Sequence, residues 1–191
     1  MYNYFAMISR MKYIDRWALM RNSRKENISE HSHEVAVLAH ALAMIGNRRL
    51  GKHLNAERAA LLGLFHDSTE IITGDMPTPV KYKDSLFRDA YGKLESQAAE
   101  KLLSMLPEDL REEYESLYRQ EEEDAYLWRL VKAADKLSAL IKCMEEAKAG
   151  NREFALAEKA TLERLDEADL PELAIFRKEF LPAYSLSLDE M

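Results

Sequence analysis

Three separated segments of the 191-residue chain each offer a side chain suited to holding a cation. One is His66-Asp67, an imidazole beside a carboxylate at the end of the apolar run Ala59-Ala60-Leu61-Leu62-Gly63-Leu64-Phe65. Desolvating these two groups unpaired would be costly, and a metal ion or an ion pair removes that cost. Another is His31, in register with Val35, Leu38, Leu42 and Ile45, the inward stripe of an expected helix. His33 lies about 200° around that helix, in line with Val37, His40 and Met44, so the stripe favours His31 over its neighbour. His33, His40 and His53 read as surface or interface histidines. The third segment is Leu130–Leu137, where Asp135 sits mid-helix at the border of the apolar face. A salt bridge to Lys132 or Lys136 is the plain alternative for that aspartate. Two imidazole nitrogens and two carboxylates suit a borderline transition metal such as Mn²⁺, Co²⁺, Fe²⁺ or Zn²⁺. At five- or six-coordination such a set leaves room for water and a substrate oxygen, and the ion acidifies the one and polarises the other.

The elements that must position these groups read as helices joined by short breaks. The first is expected from about Tyr2 to Trp17, followed by the basic connector Met20–Asn27. A second helix starts near Ser29, a candidate N-cap, and ends between Gly46 and Gly51. A third starts after Asn55 and is expected to continue through His66-Asp67 to about Ile72. Gly74-Asp75-Met76-Pro77-Thr78-Pro79 is the strongest break, because two prolines and a glycine do not fit inside a helix. Further helices are expected over about 83–106, 107–119, 124–149, 152–165 and 171–180. Composition agrees. Glycine (6) and proline (5) are scarce, 47% of residues are hydrophobic and 32% charged. That profile excludes a disordered chain and a turn-rich sandwich or barrel. The expected fold is all-α, a single helical domain over residues 1–191.

Charge and cysteine narrow the function classes. With 27 Lys and Arg against 34 Asp and Glu, the net charge is −7, the wrong sign for general attraction to a nucleic-acid polymer or an anionic membrane. A phosphate must therefore be held by a local cluster. No apolar run reaches the roughly 18–20 residues of a membrane span, and the N-terminus does not read as a signal peptide. The single cysteine, Cys143, reads as a small apolar helix residue and fits a reducing cytoplasm.

The order His31, His66-Asp67, Asp135 resembles the H…HD…D signature of the HD superfamily of metal-dependent phosphohydrolases. The flanking residues are similar to one branch of it: Arg16-Trp17, Ser29-Glu30-His31-Ser32, Phe65-His66-Asp67-Ser68-Thr69-Glu70, Thr73–Lys81 and Lys132-Ala133-Ala134-Asp135. These look like the bacterial 5′-deoxynucleotidases of the YfbR type, nearly end to end. The resemblance implies an all-helical HD bundle, a cytoplasmic homodimer, and one divalent metal ion per chain. It implies hydrolysis of deoxyribonucleoside 5′-monophosphates to deoxynucleoside and phosphate. By position it makes His31, His66, Asp67 and Asp135 metal ligands. It gives Arg16 the orientation of the phosphate and Trp17 the sugar and base side. It makes Glu70 and Asp75 catalytic or substrate-contacting carboxylates, and it runs the substrate along Asp75, Met76, Pro77 and Thr78, with His31, Asp67 and Asp135 also touching it.

The residues themselves support several of these assignments. On a continuing helix Glu70 shares a face with His66 and Asp67, where a general base belongs. Arg16 presents a planar guanidinium to a phosphate dianion; pairing with Asp15 or Glu30 is the plain alternative. Trp17 equally suits a core anchor, and Asp75 a turn-former. Arg21, Arg24 and Lys25 read as local positive potential. Glu121–Asp124 reads as a solvated helix start. Tyr2, Tyr4, Phe5 and Trp128 are aromatic candidates for covering a shared face. Two other readings compete. One is an HD phosphohydrolase acting on a cyclic nucleotide, guanosine tetraphosphate or a nucleoside triphosphate. The other is a non-catalytic helical regulator with a structural metal. The few cationic groups favour a monophosphate, and Glu70, Asp75 and Arg16 favour catalysis.

Overall fold

The computed structural model describes residues 1–77 and 84–191. The described residues form helices, and their only ladder-type pairing is an isolated antiparallel bridge between Asp15 and Asn27. The α-helices are α1 (Tyr4–Ile8), α2 (Ile28–Arg49), α3 (Ala56–Phe65), α4 (Glu70–Thr73), α5 (Ser85–Leu103), α6 (Glu108–Glu115), α7 (Ala125–Lys148), α8 (Ala155–Glu167) and α9 (Pro171–Glu179).

At the centre α2, α3 and α7 pack against one another, with α8 against α7 and α9 against α2. The core comes from the stripes that helical spacing marks: Val35, Leu38 and Leu42 of α2, Ala59 and Leu62 of α3, and Leu130, Leu137 and Ile141 of α7. Burying one such leucine or isoleucine contributes about 1.5–3 kcal/mol. Cys143 belongs to the buried face of α7, and burial pushes its thiol up to about 12. Gly63 sets how closely α3 approaches α2. A Cβ there would stand 2.9 Å from the Cα of Ala36, so a side chain at 63 would drive the two helices apart. A second apolar cluster joins Tyr4 to Leu102, Leu103 and Leu106 at the end of α5.

The structure corrects several expected boundaries. The first helix does not run to Trp17. It ends at Ile8, gives way to a 3₁₀ turn over Ser9–Tyr13, and becomes extended at Ile14. There the chain pairs with Asn27, through Arg16 N–H to Glu26 O and Ile28 N–H to Ile14 O. The N-cap of α2 is Asn27, not Ser29: Asn27 Oδ1 accepts the backbone N–H groups of Ser29 and Glu30. Asn55 caps α3 as expected. The third helix stops at Phe65, and residues 66–69 turn before α4 begins at Glu70. Ser68 accounts for part of that break, because its hydroxyl and its N–H both bond to Phe65 O, closing a turn in place of the helical ladder. Asp124 is not solvated; it is buried and takes Nε and Nη2 of Arg58 at 2.9 and 2.6 Å. Tyr4 is buried and Trp128 half-buried, so of the aromatic candidates for a shared face only Tyr2 and Phe5 are exposed.

Candidate active site

His31 is fully buried on α2. Its Nδ1 lies 3.0 Å from Ser138 Oγ on α7, and that hydroxyl donates to Glu34 Oε2 at 2.5 Å. With its proton committed to Glu34, Ser138 accepts from His31 Nδ1–H, and the Nε2 lone pair of a neutral ring is left pointing the other way. His66 reaches the same state by another route: Nδ1–H donates to Gly63 O at 2.7 Å. Both Nε2 atoms are buried and make no hydrogen bond among the described residues. They are instead surrounded by carboxylate oxygens. Asp67 Oδ2 is 3.0 Å from His66 Nε2 and 3.5 Å from His31 Nε2, and Asp135 Oδ1 is 3.1 Å from His31 Nε2.

His31, His66 and Asp67 each present one ligand atom, all within 4.8 Å of one another. Asp135 stands against the same nitrogen from α7, although it is not part of that tight triple. Two orphaned imidazole lone pairs facing two carboxylates are the donor set of a borderline divalent cation, so these residues fit one. The rings and carboxylates are also strongly coupled to one another. Burial works against the Asp67 carboxylate, yet His66 and His31 outweigh it and hold its pKa well below the usual value. Burial likewise opposes ionisation of Asp135, but the close approach of His31, and then the charge of His66, bring it to about 2. For His66, burial disfavours the imidazolium, while Asp67 and then Asp135 raise its pKa above the ordinary value.

The cluster opens into a pocket of about 370 Å³. Arg16, Trp17, Asp67, Glu70, Asp75, Met76 and Asp135 all line it. Glu70 is buried at the first residue of α4 although the helix before it is broken, because the turn at 66–69 brings it back toward Asp67. Gly74, with φ +74°, ends α4 and turns the chain so that Asp75 follows it into the pocket. Burial raises the Asp75 pKa, against opposing attraction from Arg16 and a hydrogen bond from the Trp17 backbone. Pro77 is half-buried and does not line the pocket, and Thr78 lies outside the described residues.

Arg16 is not paired with Asp15 or Glu30. Its partner is Glu26, at 2.8 Å. Lys25 takes Asp15, Arg24 takes Glu30 and Arg21 faces Glu153, and none of these three cations lines the pocket. The opposite wall comprises Lys136 and Ala139 of α7 with Thr161 and Arg164 of α8, which sequence reasoning missed. Ala139 lies four residues after Asp135, so helical spacing could have flagged it. Nothing local marks Thr161 or Arg164. His33, His40 and His53 are exposed, and His33 lines a different cavity with Glu30, Glu34 and Glu145.

Comparison with known proteins gives this geometry a context. The chain is 48% identical over 189 residues to a 5′-deoxynucleotidase of Vibrio vulnificus, covering 99% of this chain and 97% of that protein. Its fold is similar to the crystal structure of an HD-domain phosphohydrolase from Listeria innocua, with a TM-score of 0.83, 22% identity, and coverage of 95% and 88%. It is also similar to the cyanophage S-2L HD phosphohydrolase bound to dA and one catalytic Zn²⁺ ion, with a TM-score of 0.64, 19% identity, and coverage of 94% and 95%. Residues 3–184 match the family described as 5′-deoxynucleotidase YfbR-like, and the chain belongs to that family.

Proposed function

We propose that this protein is a metal-dependent phosphomonoesterase that hydrolyses deoxyribonucleoside 5′-monophosphates. The observation that carries this reading is the pair of buried, unpartnered Nε2 atoms of His31 and His66. They face Asp67 and Asp135 at the floor of a pocket that also holds Arg16, Glu70 and Asp75. A structural metal site would need none of those last three side chains. His31, His66, Asp67 and Asp135 hold one divalent ion. When bound, that ion supplies Lewis acidity, acidifying water and drawing charge from a phosphoryl oxygen.

The chain's own groups do the rest. Arg16 keeps guanidinium donors for the phosphate beyond the one Glu26 engages, and so orients the dianion for attack. Glu70 and Asp75 are the proton-handling carboxylates, one relieving the attacking water and the other serving the departing 5′-oxygen. Trp17 closes the sugar side. A rigid indole rejects a 2′-hydroxyl by steric exclusion, which discriminates more than one missing hydrogen bond of about 0.5–1.5 kcal/mol. The chain works in the cytoplasm as a homodimer in this reading. Exposed Tyr2 and Phe5, and the lack of any helix among the described residues long and apolar enough to cross a membrane, are compatible with that setting.

The test is phosphate release from a panel of deoxy and ribo monophosphates with Mn²⁺, Co²⁺ and Zn²⁺. Deoxynucleotides of every base should be hydrolysed, ribonucleotides poorly, and Trp17→Ala should narrow the gap. Equal rates on AMP and dAMP, or a large deoxy preference that survives Trp17→Ala, would refute the steric account. Preferential turnover of a triphosphate or a cyclic nucleotide would replace the substrate assignment.

A further inference from the structure

The segment that carries Arg16 and Trp17 leaves α1 and returns to α2 as a closed loop. Its backbone is secured without help from Glu26's side chain. Arg16 N–H donates to Glu26 O at 2.9 Å, Ile28 N–H to Ile14 O at 3.0 Å, and Met20 N–H to Trp17 O at 2.9 Å. Farther along, Ser23 N–H donates to the buried Glu146 carboxylate at 2.9 Å, and Lys142 Nζ to Arg24 O at 2.6 Å. These bonds fix the loop's path but leave the two functional side chains their own torsions.

Trp17 is a special case, with φ at +57° in the left-handed region, the one non-glycine residue there among those described. That conformation is strained for a residue with a Cβ. The indole N–H reaches Glu26 on the returning arm of the loop. One oxygen, Glu26 Oε2, accepts from Arg16 Nη1 at 2.8 Å and from Trp17 Nε1 at 3.0 Å. The pair is sheltered, with the Arg16 and Glu26 side chains 12% and 13% exposed.

Arg16 also feels Asp135, Asp67 and Asp75 across the pocket. Without a tether, a guanidinium in that field would be drawn onto those carboxylates, which are needed for other work. Glu26 competes for it from behind and keeps the remaining donors turned to the pocket.

We propose that Glu26 is a positioning residue that sets phosphate orientation and sugar selectivity together, by fixing Arg16 and Trp17 through one shared carboxylate oxygen. The inference rests on the deoxynucleotidase reading of the pocket, and its test separates the two. The chain has two tryptophans, so an ¹⁵N-labelled full-length protein gives two indole N–H resonances, with Trp128→Phe assigning them. Glu26→Ala should move the Trp17 indole resonance upfield, lower kcat on dAMP about tenfold or more, and reduce the dAMP-to-AMP preference at least threefold. Metal content should stay unchanged.

Glu26→Gln keeps the size and an acceptor oxygen. It should keep most of the sugar preference while losing part of kcat, and it stands in if the alanine variant folds poorly. Arg16→Ala with Glu26→Ala should cost no more in kcat than Arg16→Ala alone, because both remove the same placement. An unmoved indole resonance, multiplicative losses with Arg16→Ala, or a fall in rate with unchanged sugar preference would each overturn the proposal. If the wild type hydrolyses no deoxynucleotide, the functional reading fails, while the resonance shift still decides whether Glu26 holds Trp17.

Discussion

On the floor of the pocket, His31 and Asp135 stand on helices whose register is fixed by the core, and His66-Asp67 follows directly from a third. On the mouth side, Arg16, Trp17 and Asp75 stand on chain with no helical ladder, where Glu26 reaches across a loop to Arg16 and Trp17 and the Trp17 backbone bonds Asp75. The helical floor places ligand atoms through burial of leucines one turn away, so its geometry is paid for by the same contacts that fold the protein. The loop wall depends on individual polar bonds, chiefly those of Glu26 and Glu146. The floor is therefore suited to fixed coordination, and the wall to the part of the site where selectivity is adjusted residue by residue.

The largest expected effect separates the two regions. Asp135→Ala should remove bound metal and activity together, by about 4 kcal/mol or more, on the order of 10³-fold. The fold should persist, because the neighbouring Ala134 and Leu137 keep the core contacts of α7. His33→Ala should leave metal content intact, since that ring is exposed and faces another cavity. Elemental analysis with the rate assay checks both, and full metal occupancy in Asp135→Ala would remove Asp135 from the ligand set.

The next effect belongs to the wall. Arg16→Ala should cut the rate roughly 10²-fold, about 3 kcal/mol, with metal retained. Arg16→Lys should rescue only in part, because an ammonium cannot satisfy Glu26 and still offer a planar pair of donors to phosphate. Loss of metal from Arg16→Ala would show that wall and floor are not separable.

The same contrast explains what could be read from the sequence. That His31, His66, Asp67 and Asp135 would come together was suggested by their apolar contexts, His31 in an inward stripe, His66-Asp67 at the end of an apolar run and Asp135 at the border of an apolar face, and their role as a ligand set by the family resemblance. The all-helical fold was legible from helical spacing. The wall was harder. A helix was expected as far as Trp17, but it ends at Ile8, and past the 3₁₀ turn the bridge between Asp15 and Asn27 holds the chain extended. Glu26 pairs with Arg16 across a loop ten residues long, where no period exists to be read. Asn27 took the cap expected of Ser29 because the same bridge delivers it in extended conformation, two residues earlier. Glu34 and Ser138 were within reach: each lies three residues after a proposed ligand, His31 and Asp135, on the same helix face.

That last pair supplies the smallest effect and the finest test of the floor. Ser138 Oγ accepts a hydrogen bond from His31 Nδ1–H and donates its own to Glu34 Oε2. The chain fixes the ring's tautomer and turns Nε2 toward Asp67 and Asp135. Burial raises the Glu34 pKa, and the Ser138 hydrogen bond opposes that shift, so the link also favours the charged carboxylate. Ser138→Ala should leave the ring buried but free to choose the other tautomer. Metal affinity should then fall about 10–100-fold, the scale of losing a partner that orients a ligand. With excess metal the rate should return close to that of the wild type, because no pocket-lining group has changed. Competition with a calibrated chelator measures the affinity directly. An unchanged affinity would mean that helix packing alone orients His31, and that the floor needs no polar support of the kind the wall relies on.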